Sequence, residues 1–114
     1  MPRANRLTRS RDFDTVYRQG RSTSTRYLVL YWFPRDDGEP GARLGIAVPR
    51  KAGNAVTRNR LKRRLREVWR DLADRQDGAD YVLVARPGLA EAVDGRDLDW
   101  LRERVEEALG KASA

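Results

Sequence analysis

The densest chemistry in this sequence lies between Arg50 and Arg70. Nine of those 21 positions are basic: Arg50, Lys51, Arg58, Arg60, Lys62, Arg63, Arg64, Arg66 and Arg70. Glu67 is the only acid. Leu61, Leu65, Val68, Trp69 and Leu72 recur at i, i+4, i+7, i+8 and i+11, which puts them on one stripe of an α-helix. At about 100° per residue, Lys62, Arg63, Arg66 and Arg70 fall opposite that stripe. Arg60 and Arg64 sit on one flank, and Arg58 lies in the first turn beside the stripe. Pairs such as Lys62 and Arg66 repel across one turn, whereas an ordinary solvated face would intersperse acids. A polyanion is the simplest remedy, so the chemistry expected here is recognition of phosphate. Two blander readings stand beside it: a basic solvated helix, and a helix lying on a membrane surface. The membrane reading competes with the need of so short a chain for the same apolar stripe in its core.

Histidine and cysteine are both absent. That removes the usual general base, the Ser/His and Cys/His nucleophile pairs and the commonest zinc ligands. No acidic pair stands out at a site spacing either, so no catalytic residue is assigned. A stand-alone metal-dependent nuclease remains the contrasting hypothesis. It needs clustered carboxylates, yet acids thin out where the cations gather. Without cysteine there is no disulfide framework, which fits a reducing compartment and a cytoplasmic location. The charge is uneven. Residues 1–70 hold 18 Lys/Arg and 6 Asp/Glu, a net +12, while residues 71–114 hold 6 and 11, a net −5. One electropositive face drawn from the first two-thirds of the chain is expected. No apolar run approaches the roughly 20 residues of a membrane helix. The basic stretch Met1 to Ser10 has no apolar stretch behind it, so it is not read as a secretory signal.

The elements that must position these residues follow from periodicity. The 114 residues suit one domain, spanning 1–114 with about 1–6 and 111–114 flexible. Ser10 is placed to cap a first helix bearing Phe13, Val16 and Tyr17, with Gly20 as its stop. Ser22 to Thr25 is polar and reads as a short strand or a turn. Tyr27 to Phe33 is a run of β-formers, short enough for a buried strand. Tyr27, Val29, Tyr31 and Phe33 should share one face; Leu28, Leu30 and Trp32 the other. Pro34 to Gly41, with Asp37-Gly38, reads as a hairpin turn, and Arg43 to Val48 as the returning strand. Asn54 can cap the basic helix, which is expected to run to about Arg75 and break at Gly78. Tyr81 to Ala85 is a further strand. A last helix from Asp97 carries Leu98, Leu101, Val105, Ala108 and Leu109. The fold class is α/β with helices and strands in an α+β order, a single two-layer sandwich.

The pattern Lys51-x-Gly53-Asn54-Ala55-Val56-x-Arg58-Asn59-Arg60-x-Lys62-Arg63-x-x-Arg66 resembles the signature of the bacterial ribonuclease P protein component. Arg6-Leu7 followed by Asp12-Phe13 and Val16-Tyr17 resembles that family's first helix. The strand ending Leu30-Tyr31 and the segment Tyr81 to Arg86 resemble its second and last strands. The resemblance spans roughly residues 5–110. It implies the order αβββαβα with a left-handed βαβ crossover around the basic helix, against the usual handedness.

It also implies a role. A large catalytic RNA with bound Mg²⁺ would remove the 5′ leader of precursor tRNA, an endonuclease reaction. This chain would be its RNA-binding, tRNA-binding protein subunit, one per RNA and without an organic cofactor. Metal-ion catalysis in an RNA site needs no protein base. Arg58, Asn59, Arg60, Lys62, Arg63 and Arg66 are then the expected contacts to catalytic RNA. Phe13, Tyr17 and Tyr31, with Lys51 and Arg86 at a basic rim, are expected to line a cleft for the single-stranded leader, because aromatics beside cations stack bases regardless of sequence. Core packing is the competing role for Phe13. A hydroxyl favours the wet edge for Tyr17 and Tyr31. Trp32, Trp69 and Trp100 are expected to pack, and Asn54 and Asn59 could both be caps, with Asn59 the stronger RNA contact. A ribosomal-type or general RNA-binding protein is the alternative, sharing the charge but not the long signature.

Overall fold

Alternating side chains give the central strand two different faces, and the rest of the chain is arranged around that difference. In the computed structural model, which describes residues 6–35, 41–72 and 78–113, this strand is β2 (Leu28–Pro34). Before it come α1 (Ser10–Gln19) and β1 (Arg21–Ser24). After it come β3 (Arg43–Ala47), a 3-10 turn (Arg50–Ala52), α2 (Ala55–Leu72), β4 (Ala79–Ala85), α3 (Leu89–Val93) and α4 (Leu98–Ser113). The sheet order is β1-β2-β4-β3. β2 pairs antiparallel with both neighbours, whereas β3 runs parallel to β4, with Ile46 opposite Leu83.

One face of the sheet carries Leu28, Leu30, Leu44, Tyr81, Leu83 and Ala85. It is covered by Leu61, Leu65, Val68, Trp69 and Leu72 of α2 together with residues of α3 and α4. The stripe expected from spacing is therefore the buried face of α2. Each fully buried Leu or Val there contributes about 1.5–3 kcal/mol. Trp69 is completely enclosed and meets the Tyr81 ring at 5.1 Å. Trp100 packs edge-on to Tyr27 at 5.4 Å, and Trp32 packs against the same core. All three tryptophans are packing residues. The other face is thinly covered. α1 lies across part of it, burying Val16 and Leu7 on Val82, with Phe13, Tyr31, Phe33 and Val84 around them. No helix among the described residues is long and apolar enough to cross a membrane.

Several local expectations differ from the structure. β2 and β3 do not form a hairpin: β4, much later in sequence, inserts between them. Residues 36–40, which carry the Asp37-Gly38 signal, lie outside the described residues. A turn signal fixes reversal, not adjacency, and here the apolar β4 takes the central place. Ser10 does not cap α1; Arg9 occupies that position with no side-chain cap bond. Asn54 does cap α2, its Oδ1 accepting from the Thr57 N–H at 2.9 Å. Tyr27 precedes β2, so strand alternation does not bind it, and it turns to Trp100 rather than to Tyr31. Arg6 bridges to Leu44 beside β3, and the Leu7 N–H donates to the Leu44 carbonyl at 3.0 Å. α4 continues through Ser113. Of the ends expected to be flexible, 1–6 and 111–114, Arg6 lies in the bridge to Leu44 and 111–113 in the last turn of α4. The expected end of α2 near Arg75 falls outside the described residues. The short α3 was not anticipated.

Gly20 stops α1 for a reason other than a left-handed turn. Its φ is −79°, an extended conformation. A Cβ there would lie 2.5 Å from the Trp32 carbonyl oxygen and 2.4 Å from that of Val16. The close approach of α1's end to β2 needs glycine.

Sequence reading also missed a buried ion cluster. Asp80 is 4% exposed and faces the thin side of the sheet. Its carboxylate accepts from Arg35 Nη1 at 2.9 Å and from Arg43 Nε and Nη2 at 2.7 and 2.6 Å. Arg43 also reaches Asp12 of α1 at 4.0 Å. The cluster ties β3, β4, the end of β2 and α1 together.

Candidate nucleic-acid interface

The expected site residues fall into two groups. The first is the exposed side of α2. Arg60, Arg63, Asn59 and Arg70 are exposed, while Arg58, Lys62, Arg64 and Arg66 are half-buried along the flanks. Among the described residues none of these cations forms an ion pair; the recorded pairs involve Arg35, Arg43, Arg102 and Arg104. Arg58 Nε is buried without a hydrogen-bond partner. The Arg66 guanidinium has its pKa lowered, first by burial and then by repulsion from Arg6. The bridge of Arg6 to β3 thus adds one more cation to this side of the molecule. Arg60 and Arg64 border a cavity of about 370 Å³ between α2, the Gly53-Asn54 turn and α3, where Glu91 and Asp94 form the far wall. That acidic wall was not foreseen. It makes one flank of the α2 face mixed in sign.

The second group lies on the thin side of the sheet. α1 brings Phe13 and Tyr17 on successive turns, and β2 brings Tyr31 up beneath them. Tyr17 meets Tyr31 edge-on at 4.9 Å and Phe13 at 6.4 Å. Tyr17 is 39% exposed. Burial raises its phenol pKa, with Tyr31 and Asp14 adding to the effect, so it stays a neutral hydrogen-bonding group. Phe13 sits directly over Gly45 of β3: a Cβ at that glycine would lie 2.5 Å from the ring. Phe13 is therefore half-buried, a packing residue with one open side. Beside these rings the sheet offers Val29 and Val84 from paired positions, and β1 offers Ser22 and Ser24 opposite Tyr31 and Val29. The valines are half-buried and the serines exposed, and these small side chains continue the floor beside the rings.

Lys51 and Arg86 follow from topology. β3 and β4 are adjacent and parallel, with Ala47 opposite Val84. The residues leaving their carboxyl ends emerge at the same end of the sheet. Lys51 stands exposed in the 3-10 turn after β3. Arg86 follows β4, its Nη1 donating to the Thr25 carbonyl at 2.8 Å and its N–H to the Tyr27 carbonyl at 2.9 Å. The same 3-10 turn leads straight into α2, so Arg58, Asn59 and Arg60 begin at that end too. The aromatic floor lies on the other face of the sheet and nearer its middle, with Tyr31 opposite Val82. The first surface can neutralise phosphates and the second can stack bases. Among the described residues no group of three or more His, Cys, Asp or Glu side chains could hold a metal, and the buried carboxylate Asp80 is already taken by two guanidiniums.

Comparison with known proteins gives a consistent likeness. The family model described as ribonuclease P matches residues 1–113. A ribonuclease P protein component of Bacillus cereus is 39% identical over 92 residues, covering 80% of this chain and 79% of its own length. Among solved structures, the RNase P protein of Staphylococcus aureus superposes with a TM-score of 0.83 at 29% identity, covering 96% of both chains. The RNase P protein from Thermotoga maritima gives 0.78 at 34% identity, covering 90% of this chain and 92% of its own.

Proposed function

Because the chain belongs to the bacterial ribonuclease P protein family, the protein component of a ribonucleoprotein that processes tRNA 5′ ends, we propose that it works through two RNA surfaces. Its partnership with ribonuclease P RNA follows from that membership. The exposed side of α2, with Arg58, Asn59, Arg60, Lys62, Arg63 and Arg66, takes the ribonuclease P RNA. The floor under α1, with Phe13, Tyr17 and Tyr31 and the rim residues Lys51 and Arg86, takes the single-stranded 5′ leader of precursor tRNA. Mg²⁺ is held by the RNA and supplies the metal-ion chemistry of phosphodiester hydrolysis. The protein's residues position the leader and screen the repulsion between two polyanions. The site of action is the cytoplasm, one protein to one RNA.

The observation that carries this reading is the exposed Tyr17 ring set edge-on to Tyr31 at 4.9 Å, in a chain whose α2 cations form no ion pair among the described residues. A general RNA-binding protein needs only the cations. The test compares precursor tRNA with mature tRNA, using the reconstituted enzyme and the Tyr17→Ala and Tyr31→Ala proteins. Loss of one stacking partner should cost roughly 1–3 kcal/mol of affinity for the precursor alone. Equal weakening for both substrates, or early melting of the variants, would return these tyrosines to the core.

A further inference from the structure

Val56 is 66% exposed, and among the described residues only Tyr17 joins it as an exposed large hydrophobic. Tyr17 has a place in the cleft; the core gives Val56 none. It stands in the first turn of α2, where a β-branched residue lowers helix propensity slightly. The Asn54 cap bond goes to Thr57, and neither buried cluster includes Val56.

Its direction is informative. At about 100° per residue, Leu65 points about 180° away from Val56, and Leu65 is completely buried. Val56 therefore marks the outermost line of the helix. On the same wheel Arg63 lies within about 20° of it, Arg60 within about 40° and Asn59 within about 60°. The most prominent point at the start of this cationic face is thus an uncharged apolar side chain, with polar and cationic residues around and behind it.

We propose that Val56 is an apolar contact residue for the ribonuclease P RNA, seated on the ribose edge of a helical RNA minor groove while Arg60 and Arg63 meet the flanking phosphates. The occupant follows from charge complementarity: Arg60 and Arg63, one and two turns on along the same line of the helix, form no ion pair among the described residues, and such cations select a polyanion. The type of contact follows from its shape. Valine has no π face on which a base could stack and no donor for a phosphate. It can lie against the C–H surface of riboses, which the wide, shallow minor groove of A-form RNA exposes. Asn59, one turn on, can pair with a 2′-hydroxyl. The cations then supply sequence-independent attraction, and Val56 adds a short-range fit that ions do not screen.

This rests on the reading that α2 faces RNA, and salt dependence separates the two. A phosphate contact releases counterions, so its loss lowers the slope of log affinity against log salt. Loss of an apolar contact lowers affinity at every salt concentration and leaves the slope alone. The experiment measures equilibrium binding of transcribed ribonuclease P RNA to the full chain across a salt series, with thermal melting of each protein. Val56→Ala should weaken binding about fivefold to fifteenfold, as burial of two methyl groups implies. Its slope should equal that of the unaltered chain, and its melting temperature should not fall, since alanine is the better helix former. Val56→Thr, similar in shape but carrying a hydroxyl, should weaken binding comparably. Arg63→Ala should reduce the slope by about one phosphate's worth. If Arg63→Ala behaves so while Val56→Ala binds normally, the helix face stands and the inference about Val56 is wrong. It is equally wrong if Val56→Ala changes the slope or melts early. If neither variant weakens binding, the α2 interface itself fails.

Discussion

Replacing Gly45 by alanine should disturb the proposed leader cleft from beneath, through Phe13. A Cβ at Gly45 would sit 2.5 Å from both Cε1 and Cζ of Phe13 and 3.3 Å from the Leu7 Cβ. Neither ring distance is tolerable, so Phe13 must move, and Leu7 is pinned by its bond to Leu44. Overpacking in a tight core costs about 1–3 kcal/mol. Phe13 is half-buried with one side open, so its ring can swing outward, which places the cost at about 1–2 kcal/mol. For a domain of this size that is a fall of roughly 4–12 °C in melting temperature. The displaced ring also disturbs Tyr17, its neighbour at 6.4 Å, so discrimination between precursor and mature tRNA should drop. Binding of ribonuclease P RNA through α2, on the opposite face, should hold. The assay pairs thermal melting with precursor-tRNA affinity for Gly45→Ala, for Phe13→Leu and for the double variant. Shortening residue 13 should recover part of the stability lost by Gly45→Ala. Strict additivity of the two changes, or unaltered stability in Gly45→Ala, would refute the packing argument.

Asp80→Asn should destabilise the protein by about 3–5 kcal/mol, because the buried Arg35 guanidinium, and the partly exposed Arg43 beside it, would face a neutral side chain there; denaturant unfolding reads the change. Since the cluster reaches Asp12 of α1, the cleft should loosen as well, seen as faster proteolysis of α1. At alkaline pH, Tyr17 and Tyr81 should contribute to loss of stability. Burial raises both phenol pKa values, so their contribution is full below the unfolded-state value of about 10 and is lost as pH rises through the folded value. The steepest loss in a pH series of melting temperatures should therefore lie above about pH 10, and Tyr17→Phe should reduce it.

The α2 stripe was legible because 3.6-residue periodicity and burial are the same fact seen twice: Leu61, Leu65, Val68, Trp69 and Leu72 have no other way to share a surface. Asn54 was legible as a cap because its side chain acts within three residues. The β2 faces were legible from Val29, Tyr31 and Phe33 but not at Tyr27, which lies one residue outside the strand. Adjacency in the sheet was hidden, since Asp37-Gly38 speaks of a local reversal while the position of β4 depends on pairing with distant residues. The Asp80 cluster was hidden for the same reason: its arginines lie 45 and 37 residues away in sequence. In the candidate site, the long basic signature and its aromatic partners were readable as residue types. That Lys51 and Arg86 emerge at the same end of the sheet required knowing that β3 and β4 are parallel neighbours. The acidic wall of Glu91 and Asp94 opposite Arg60 and Arg64 needed α3, a helix too short to announce itself by periodicity.

The central claim is that this protein holds and screens RNA while the chemistry belongs to the RNA and its metal. Single-turnover cleavage of precursor tRNA, followed against Mg²⁺ concentration, tests it directly. The reactions contain ribonuclease P RNA alone, the protein alone, or the RNA with either the unaltered protein or its Arg58→Ala and Arg60→Ala variants. The protein alone should not cleave. RNA alone should cleave slowly and only at high Mg²⁺, and the protein should restore cleavage at low Mg²⁺. The two variants should need more Mg²⁺ yet reach the same rate at saturation, because divalent ions can replace lost screening but not a missing proton acceptor. A rate that stays depressed at saturating Mg²⁺, or cleavage by the protein alone, would contradict the account.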